Sequence, residues 1–341
     1  MAGRCEAGAG QAAIFGEGAA TAVRAPLPVL QSRGDATFYG LPAARLVAPG
    51  TGMMARMLTV NPYVGCEMSC AYCYAPYAHG WLVERLGSEG RIPNGGMGAA
   101  FDRTIFVKQS ADEVARTVLR HRGRPVVLGT ATDPYQPAER RFRVTRGVLE
   151  ALSRLEGIEV SITTKSPLVT RDLDLLRRIA ERSRITVHLS LTTVDRGLLR
   201  VLEPRAPTPE KRLEALRELR ANGIRAGIFA MPLLPGITDA EAQIDAVYAA
   251  ARAADACFVV AGGVRLSDVS WRRFLPVLRE LRPDLVEAYQ TIVRRRANPQ
   301  KRRYKEKLDA RITRCRTRHG YDGNGGFRDY RVQRETQLTL L

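Results

Sequence analysis

The sequence predicts an α/β protein built as an open, partial (β/α)6 barrel, with an N-terminal extension and a basic C-terminal helical segment. Two observations carry this reading. Six short β-branched or apolar runs recur along the chain, and stretches with helical spacing lie between them. Such alternation makes a parallel sheet with helical crossovers. Six rounds do not complete an eight-fold barrel, and a doubly wound open sheet is the second arrangement they allow. No stretch approaches the about 18 uninterrupted apolar residues of a membrane span.

Residues 1–50 are rich in Ala, Gly and Pro and have no sustained period, so they read as a loose extension, ordered near its end by packing. The predicted strands are Leu58–Asn61, Pro125–Thr130, Ile158–Thr163, Ile185–Leu191, Arg225–Met231 and Cys257–Ala261. Predicted helices cover 111–121, 141–155, 172–182, 209–221, 239–253 and 271–281. Asp172 and Asp239 are candidate N-caps, and Gly157 and Asn222-Gly223 are helix stops. The barrel is expected over 51–283 and the basic segment over 284–341. In that segment 284–296 and 300–318 read as helices, and the last residues as a short strand. Chemistry in such folds gathers at the carboxyl ends of the strands. That rule singles out 61–73, 129–135, 163–166, 190–195, 231–236 and 261–265.

The net charge is +18, and residues 291–341 hold 15 basic against 5 acidic residues. A basic end segment points to a polyanionic partner, nucleic acid first. The N-terminus has Glu6 and Glu17 and no continuous apolar core, so no secretory signal is expected and the cytoplasm is the expected address. Six cysteines in 341 residues do not make a disulfide scaffold.

Cys66, Cys70 and Cys73 form C-x3-C-x2-C in NPYVGCEMSCAYCY (61–74), just past the first barrel strand. Three thiolates on one loop can share a metal centre, and soft sulfur suits zinc or an iron–sulfur cluster. A [4Fe–4S] cube held by three cysteines keeps one iron without a protein ligand, open to a small molecule. His79 could instead complete a four-ligand zinc site with the trio. Cys257 is expected in the core of the last strand, and Cys315 on a packed helix face.

The spacing, with aromatic Tyr72 before the third cysteine, is similar to the signature of the radical S-adenosylmethionine (SAM) enzymes. Within them, residues 56–283 resemble the spore photoproduct lyase and DNA-repair-photolyase-like branch. The resemblance is carried by the cysteine loop and by GTATDPYQPAER (129–140), TTKS (163–166), HLSLTTVD (188–195), EPRAPTPEKRLEAL (203–216) and MPLLPG (231–236). It implies a partial barrel with a [4Fe–4S] cluster on Cys66, Cys70 and Cys73. It also implies cleavage of SAM to a 5′-deoxyadenosyl radical that abstracts a substrate hydrogen, and an electron donor such as flavodoxin or ferredoxin. SAM binding falls on Tyr72, Thr132, Lys165 and Ser190. Tyr74, on the far side of Cys73, is the candidate catalytic residue. One position departs from the branch. Thr130 stands where the lyase has its hydrogen-donating cysteine, and a hydroxyl hydrogen is held too tightly for that role. A different substrate from that of the lyase is therefore expected.

Twelve Lys or Arg lie between Arg294 and Arg318, opposed by Glu306 and Asp309. This face could track phosphates, with Tyr304, Tyr321, Phe327 and Tyr330 stacking bases. Equally, Tyr304, Leu308, Ile312 and Cys315 make an apolar stripe that would dock the helix. Two other functions fit the residues: radical chemistry on a small metabolite or peptide, and a non-catalytic zinc-stabilised nucleic-acid-binding protein.

Overall fold

The computed structural model describes residues 25–42, 45–93, 101–109, 111, 113–294 and 298–321. The expected C-terminal strand, Phe327, Tyr330 and Cys5 lie outside the described residues. The chain divides into two compact units.

The first unit comprises residues up to Ser69, Ala75–Thr163 and Arg171–Ile185. Its sheet residues form β1 (Val29–Arg33), β2 (Ala36–Leu41), β3 (Val47–Pro49), β4 (Leu58–Val60), β5 (Tyr63–Val64), β6 (Thr104–Lys108), β7 (Val126–Leu128) and most of β8 (Glu159–Thr164). β4, β7 and β8 run parallel, and β3 lies antiparallel along β4 as an edge strand. Every residue of β7 is buried, as a strand covered on both faces requires. A second small sheet, in the order β1-β2-β6-β5, comes from sequence expected to be extension and loop. The composition of residues 1–50 hides it, because β1 is mostly exposed and β2, although mostly buried, is interrupted by half-buried Thr37 and by Gly40. The helices are α1 (Pro76–Ser88), α2 (Glu113–Arg120), α3 (Val144–Leu152) and α4 (Leu173–Arg182). The run predicted as one helix over 141–155 breaks at Arg143, whose φ of 50° is left-handed.

The second unit comprises Cys70–Tyr74, Thr164–Thr170 and Thr186 onward. It carries β9 (Arg184–Ser190, from Thr186), β10 (Arg225–Leu233) and β11 (Val259–Gly263), all parallel. Helices α5 (Arg196–Leu202), α6 (Pro209–Ala221), α7 (Glu241–Ala253), α8 (Asp268–Leu281) and α9 (Pro299–Arg318) follow in order. α6 starts with Pro209 in its first turn and stops at Asn222-Gly223, where Gly223 has φ 76°. Three parallel strands in each unit make the six expected rounds. Among the described residues β3 is an edge strand in the first unit and β11 an edge strand in the second.

Both proposed N-caps do other work. Asp172 takes Arg171 and Arg146 in ion pairs, and Asp239 accepts from the Gly236 amide and the Tyr304 hydroxyl. Cys257 is only half-buried and precedes β11 instead of lying in its core. The stretch 284–296 is not one helix: a helical turn at Val286–Tyr289 runs into a π-helical stretch, Gln290–Arg294.

The basic helix α9 docks. Leu308, Ile312 and Cys315 are buried, and Leu308 packs near Gly263 of β11. Its charges meet α7: Arg314 pairs with Glu241 at 2.7 Å and Arg318 with Asp245 at 2.6 Å. Tyr304 is half-buried and donates its hydroxyl to Asp239, whereas Tyr321 is buried against Tyr248 and its ring is not presented for base stacking. Arg302, Arg303 and Lys307 are exposed. No helix among the described residues is long and apolar enough to cross a membrane.

Candidate active site

The cysteine loop leaves β4 through Asn61, which ties it to the next strand end. Asn61 Nδ2 donates to Thr130 Oγ1 (2.9 Å), and its Oδ1 accepts from the Ala131 amide (2.8 Å). At Gly129, φ is 85° and a Cβ would stand 2.4 Å from the Thr163 carbonyl, so only glycine fits this turn. Gly65 is similarly fixed, with φ 92° and backbone oxygens of Thr104 and Phe101 within 2.9 Å of a Cβ.

Thr132 is buried beside this turn. Its hydroxyl donates to the Gly65 carbonyl (2.7 Å) and accepts from Gln136 Nε2 (3.0 Å). Gln136 also donates to Gly65 O and accepts the Glu67 amide, and Glu67 accepts the Ala138 amide. The Cys66 amide donates to Phe101 O, and Ser69, at φ 55°, donates its hydroxyl to Asp102. The structure thus gives Thr132 the job of pinning the chain ahead of Cys66. Gln136 and Glu67 share that job. The sequence singled out neither, although both stand in the segments quoted.

His79 is not the loop histidine that a zinc site would need. It sits on α1, 2% exposed, with Nε2 2.8 Å from the Thr104 carbonyl and its ring against Phe101 and Phe106. Its neighbours are core residues.

In the second unit, Cys70 is buried, Cys73 is half-buried and Tyr74 is 54% exposed. Tyr72 turns inward, and its hydroxyl donates to Glu203. Burial, then the Glu203 charge, holds the Tyr72 phenol well above its usual range, so it stays a donor. Glu203 pairs with Arg212 at 2.5 Å, and both side chains are fully buried. Burial opposes the Glu203 charge. Arg212 and Lys165 outweigh it and hold the carboxyl below the usual carboxylate range. The Lys165 ammonium stands 5.9 Å from the Tyr72 ring centre. Arg212 Nη1 donates to the backbone oxygen of Ser190 at the end of β9 (2.8 Å). Tyr72, Lys165 and Ser190 therefore belong to one cluster. Glu203 and Arg212, which organise it, were not singled out from the sequence. A glutamate and an arginine nine residues apart in a charged helical stretch read as ordinary surface residues.

The donor set can be tested against an iron–sulfur cluster. Cys66, Cys70 and Cys73 are thiols. Burial pushes the Cys70 thiol up to about 12, and a cysteine that ligates a metal gives up its proton to do so. Among the described residues no three His, Cys, Asp or Glu side chains are gathered as ligands of one metal ion. A four-iron cube takes one thiolate at each of three irons, and three cysteine thiols on one loop are a donor set of that chemistry.

A parallel β/α series with a three-cysteine loop after its first strand defines a class of enzymes that house a cluster at the strand ends. Residues 60–246 match the radical SAM superfamily, and the chain belongs to it. Membership implies an iron–sulfur cluster and SAM. An uncharacterized protein of Mycobacterium tuberculosis is 34% identical over 250 residues, covering 72% of this chain and 70% of its own length. An uncharacterized protein of Methanocaldococcus jannaschii is 31% identical over 182 residues, covering 53% of this chain and 62% of its own. Spore photoproduct lyase complexed with a dinucleoside spore photoproduct has a similar fold, with a TM-score of 0.60 over 85% of this chain and 81% of that one, at 15% identity. A variant of the same lyase with bound AdoMet has a TM-score of 0.55 over 78% of this chain and 74% of that one.

Proposed function

We propose that this chain is a radical SAM enzyme acting on nucleic acid, by a reaction different from that of spore photoproduct lyase. Cys66, Cys70 and Cys73 would hold a [4Fe–4S] cluster. When bound and reduced, for example by a flavodoxin or ferredoxin, the cluster supplies an electron that splits SAM to a 5′-deoxyadenosyl radical, which abstracts a substrate hydrogen. The chain's own residues prepare this chemistry. Lys165 offers a cation for the SAM carboxylate, and Ser190 offers a hydroxyl at the neighbouring strand end. Tyr72 packs the cysteine loop inward, and Tyr74 presents a phenol outward. The cofactor carries the hard step, and the protein orients it and limits access of water.

The observation that carries the reading is that Tyr72, between Cys70 and Cys73, shares one network with Lys165 and with the Ser190 carbonyl through Glu203 and Arg212. Thr130 supports a reaction unlike the lyase's. It stands at the hydrogen-donor position, carries no thiol, and its hydroxyl is engaged by Asn61. Nucleic acid is supported by the net charge of +18, by the exposed Arg302, Arg303 and Lys307, and by the dinucleoside bound in the structure of similar fold.

The test is anaerobic reconstitution of the full chain with iron and sulfide, then SAM and dithionite, assayed for 5′-deoxyadenosine with and without single-stranded DNA or RNA. The expected protein is brown, with a broad band near ~400 nm, and releases the nucleoside faster with nucleic acid. A colourless protein with one tightly bound zinc would overturn the reading.

A further inference from the structure

The Glu203–Arg212 pair is built for placement more than for stability. A buried ion pair often adds little stability over an apolar pair of the same shape. Here, however, each polar atom goes to a different stretch of chain. Glu203 Oε1 takes the Tyr72 hydroxyl and Oε2 takes Arg212. Arg212 Nη1 holds the Ser190 carbonyl at the end of β9, and Nε holds the Pro207 carbonyl (2.9 Å). The planar guanidinium reaches three partners in fixed directions, which a lysine cannot do. The segment Cys70–Tyr74 has a second anchor beside the first, where the Ala71 amide donates to Leu202 O (2.9 Å) at the end of α5. One turn, Leu202-Glu203, therefore grips the stretch between two cluster cysteines by backbone and by side chain. The Tyr72 ring held in this way also faces the Lys165 ammonium.

We propose that Glu203 and Arg212 are positioning residues for SAM. They fix the stretch from Cys70 to Cys73 relative to the carboxyl end of β9, so that a ligand on the cluster meets Lys165 and Ser190 together. This rests on the reading that the three cysteines hold the cluster and that SAM docks on it. The pair's hydrogen bonds go to the Tyr72 hydroxyl and to the Ser190 and Pro207 carbonyls. Its loss should therefore spare cluster loading and weaken SAM binding.

The test uses the reconstituted full chain as wild type and as Tyr72→Phe, Glu203→Gln and Arg212→Lys. Iron per chain, the electron paramagnetic resonance spectrum of the reduced cluster before and after SAM, and the SAM dissociation constant by calorimetry are measured. The expected result is wild-type iron in all three, with SAM binding weakened at least tenfold in Glu203→Gln and Arg212→Lys and less in Tyr72→Phe. The spectral response to SAM should shrink in step. Tyr72→Phe removes one hydroxyl and leaves the ion pair whole, so it carries the test if the charge variants do not fold. Wild-type affinity and spectral response in a fully loaded variant would overturn the proposal. Loss of iron from Tyr72→Phe would overturn it too, because the pair would then hold the cluster loop itself together. A wild-type chain that loads no iron or binds no SAM would instead overturn the reading beneath it.

Discussion

Replacing Thr132 with valine separates two roles for this residue. The resemblance implies a SAM-binding hydroxyl at Thr132, and in the structure that hydroxyl donates to Gly65 O at 2.7 Å and accepts from Gln136 at 3.0 Å. Valine keeps the volume and removes both bonds. A buried hydrogen bond contributes about 1 kcal/mol net, and stranding a buried polar partner costs about 1–3 kcal/mol more. Here the stranding is partial. Gln136 Nε2 still reaches Gly65 O, and that carbonyl still has Gln136. The expected cost is therefore about 1–2 kcal/mol. Urea unfolding of the apo chain measures it, with Thr132→Ser, which keeps the hydroxyl, as the reference. SAM affinity per loaded cluster should change by no more than about threefold, well under the tenfold that 1.4 kcal/mol would give. If Thr132→Val were as stable as wild type and its SAM affinity fell tenfold or more, the hydroxyl would be a ligand and the pinning role wrong.

Gly129→Ala should destabilise the chain by more than about 2 kcal/mol, because φ is positive and the new Cβ would meet the Thr163 carbonyl, as thermal unfolding would show. Leu308→Ala should cost about 2–4 kcal/mol in denaturant unfolding and expose α9 to proteolysis, since Leu308 is buried against β11. Lys108 is buried, and burial lowers its pKa to about 8 from 10.5. The unfolded chain then binds more protons than the folded one between those values, so stability should rise with pH from about 8 to 10.5 relative to a Lys108→Met variant. Changing Arg302, Arg303 and Lys307 together to glutamate should weaken salt-sensitive binding of single-stranded nucleic acid, and unchanged affinity in filter binding would count against that face.

The six barrel strands were legible because each is a short apolar run bounded by turn residues, most directly in β7 and β9, which are buried on both faces, and least in β11, which is half-buried and starts two residues later than expected. β10 begins at Arg225 as expected and runs two residues beyond the predicted Met231, since Leu233 also pairs with β11. The small sheet of β1, β2, β5 and β6 was not legible. Its strands are two to six residues long, and its β2–β6 and β5–β6 pairings join residues 67 and 42–44 positions apart. At the site, spacing singles out the three cysteines, and the family resemblance adds Tyr72. Glu203 and Arg212 were not legible, because nothing local distinguishes a buried charged pair from the solvated charges around it. The same limit explains the tail. Composition shows that α9 is basic, but only tertiary structure shows Arg314 and Arg318 paired to the acids of α7.

The most direct measurement is 5′-deoxyadenosine release by the anaerobically reconstituted chain with SAM and dithionite, compared with Cys66→Ala, Cys70→Ala and Cys73→Ala. Wild type should release the nucleoside and show the ~400 nm band, and each cysteine variant should lose both. Variants that keep wild-type release would show that the trio does not hold the reactive centre.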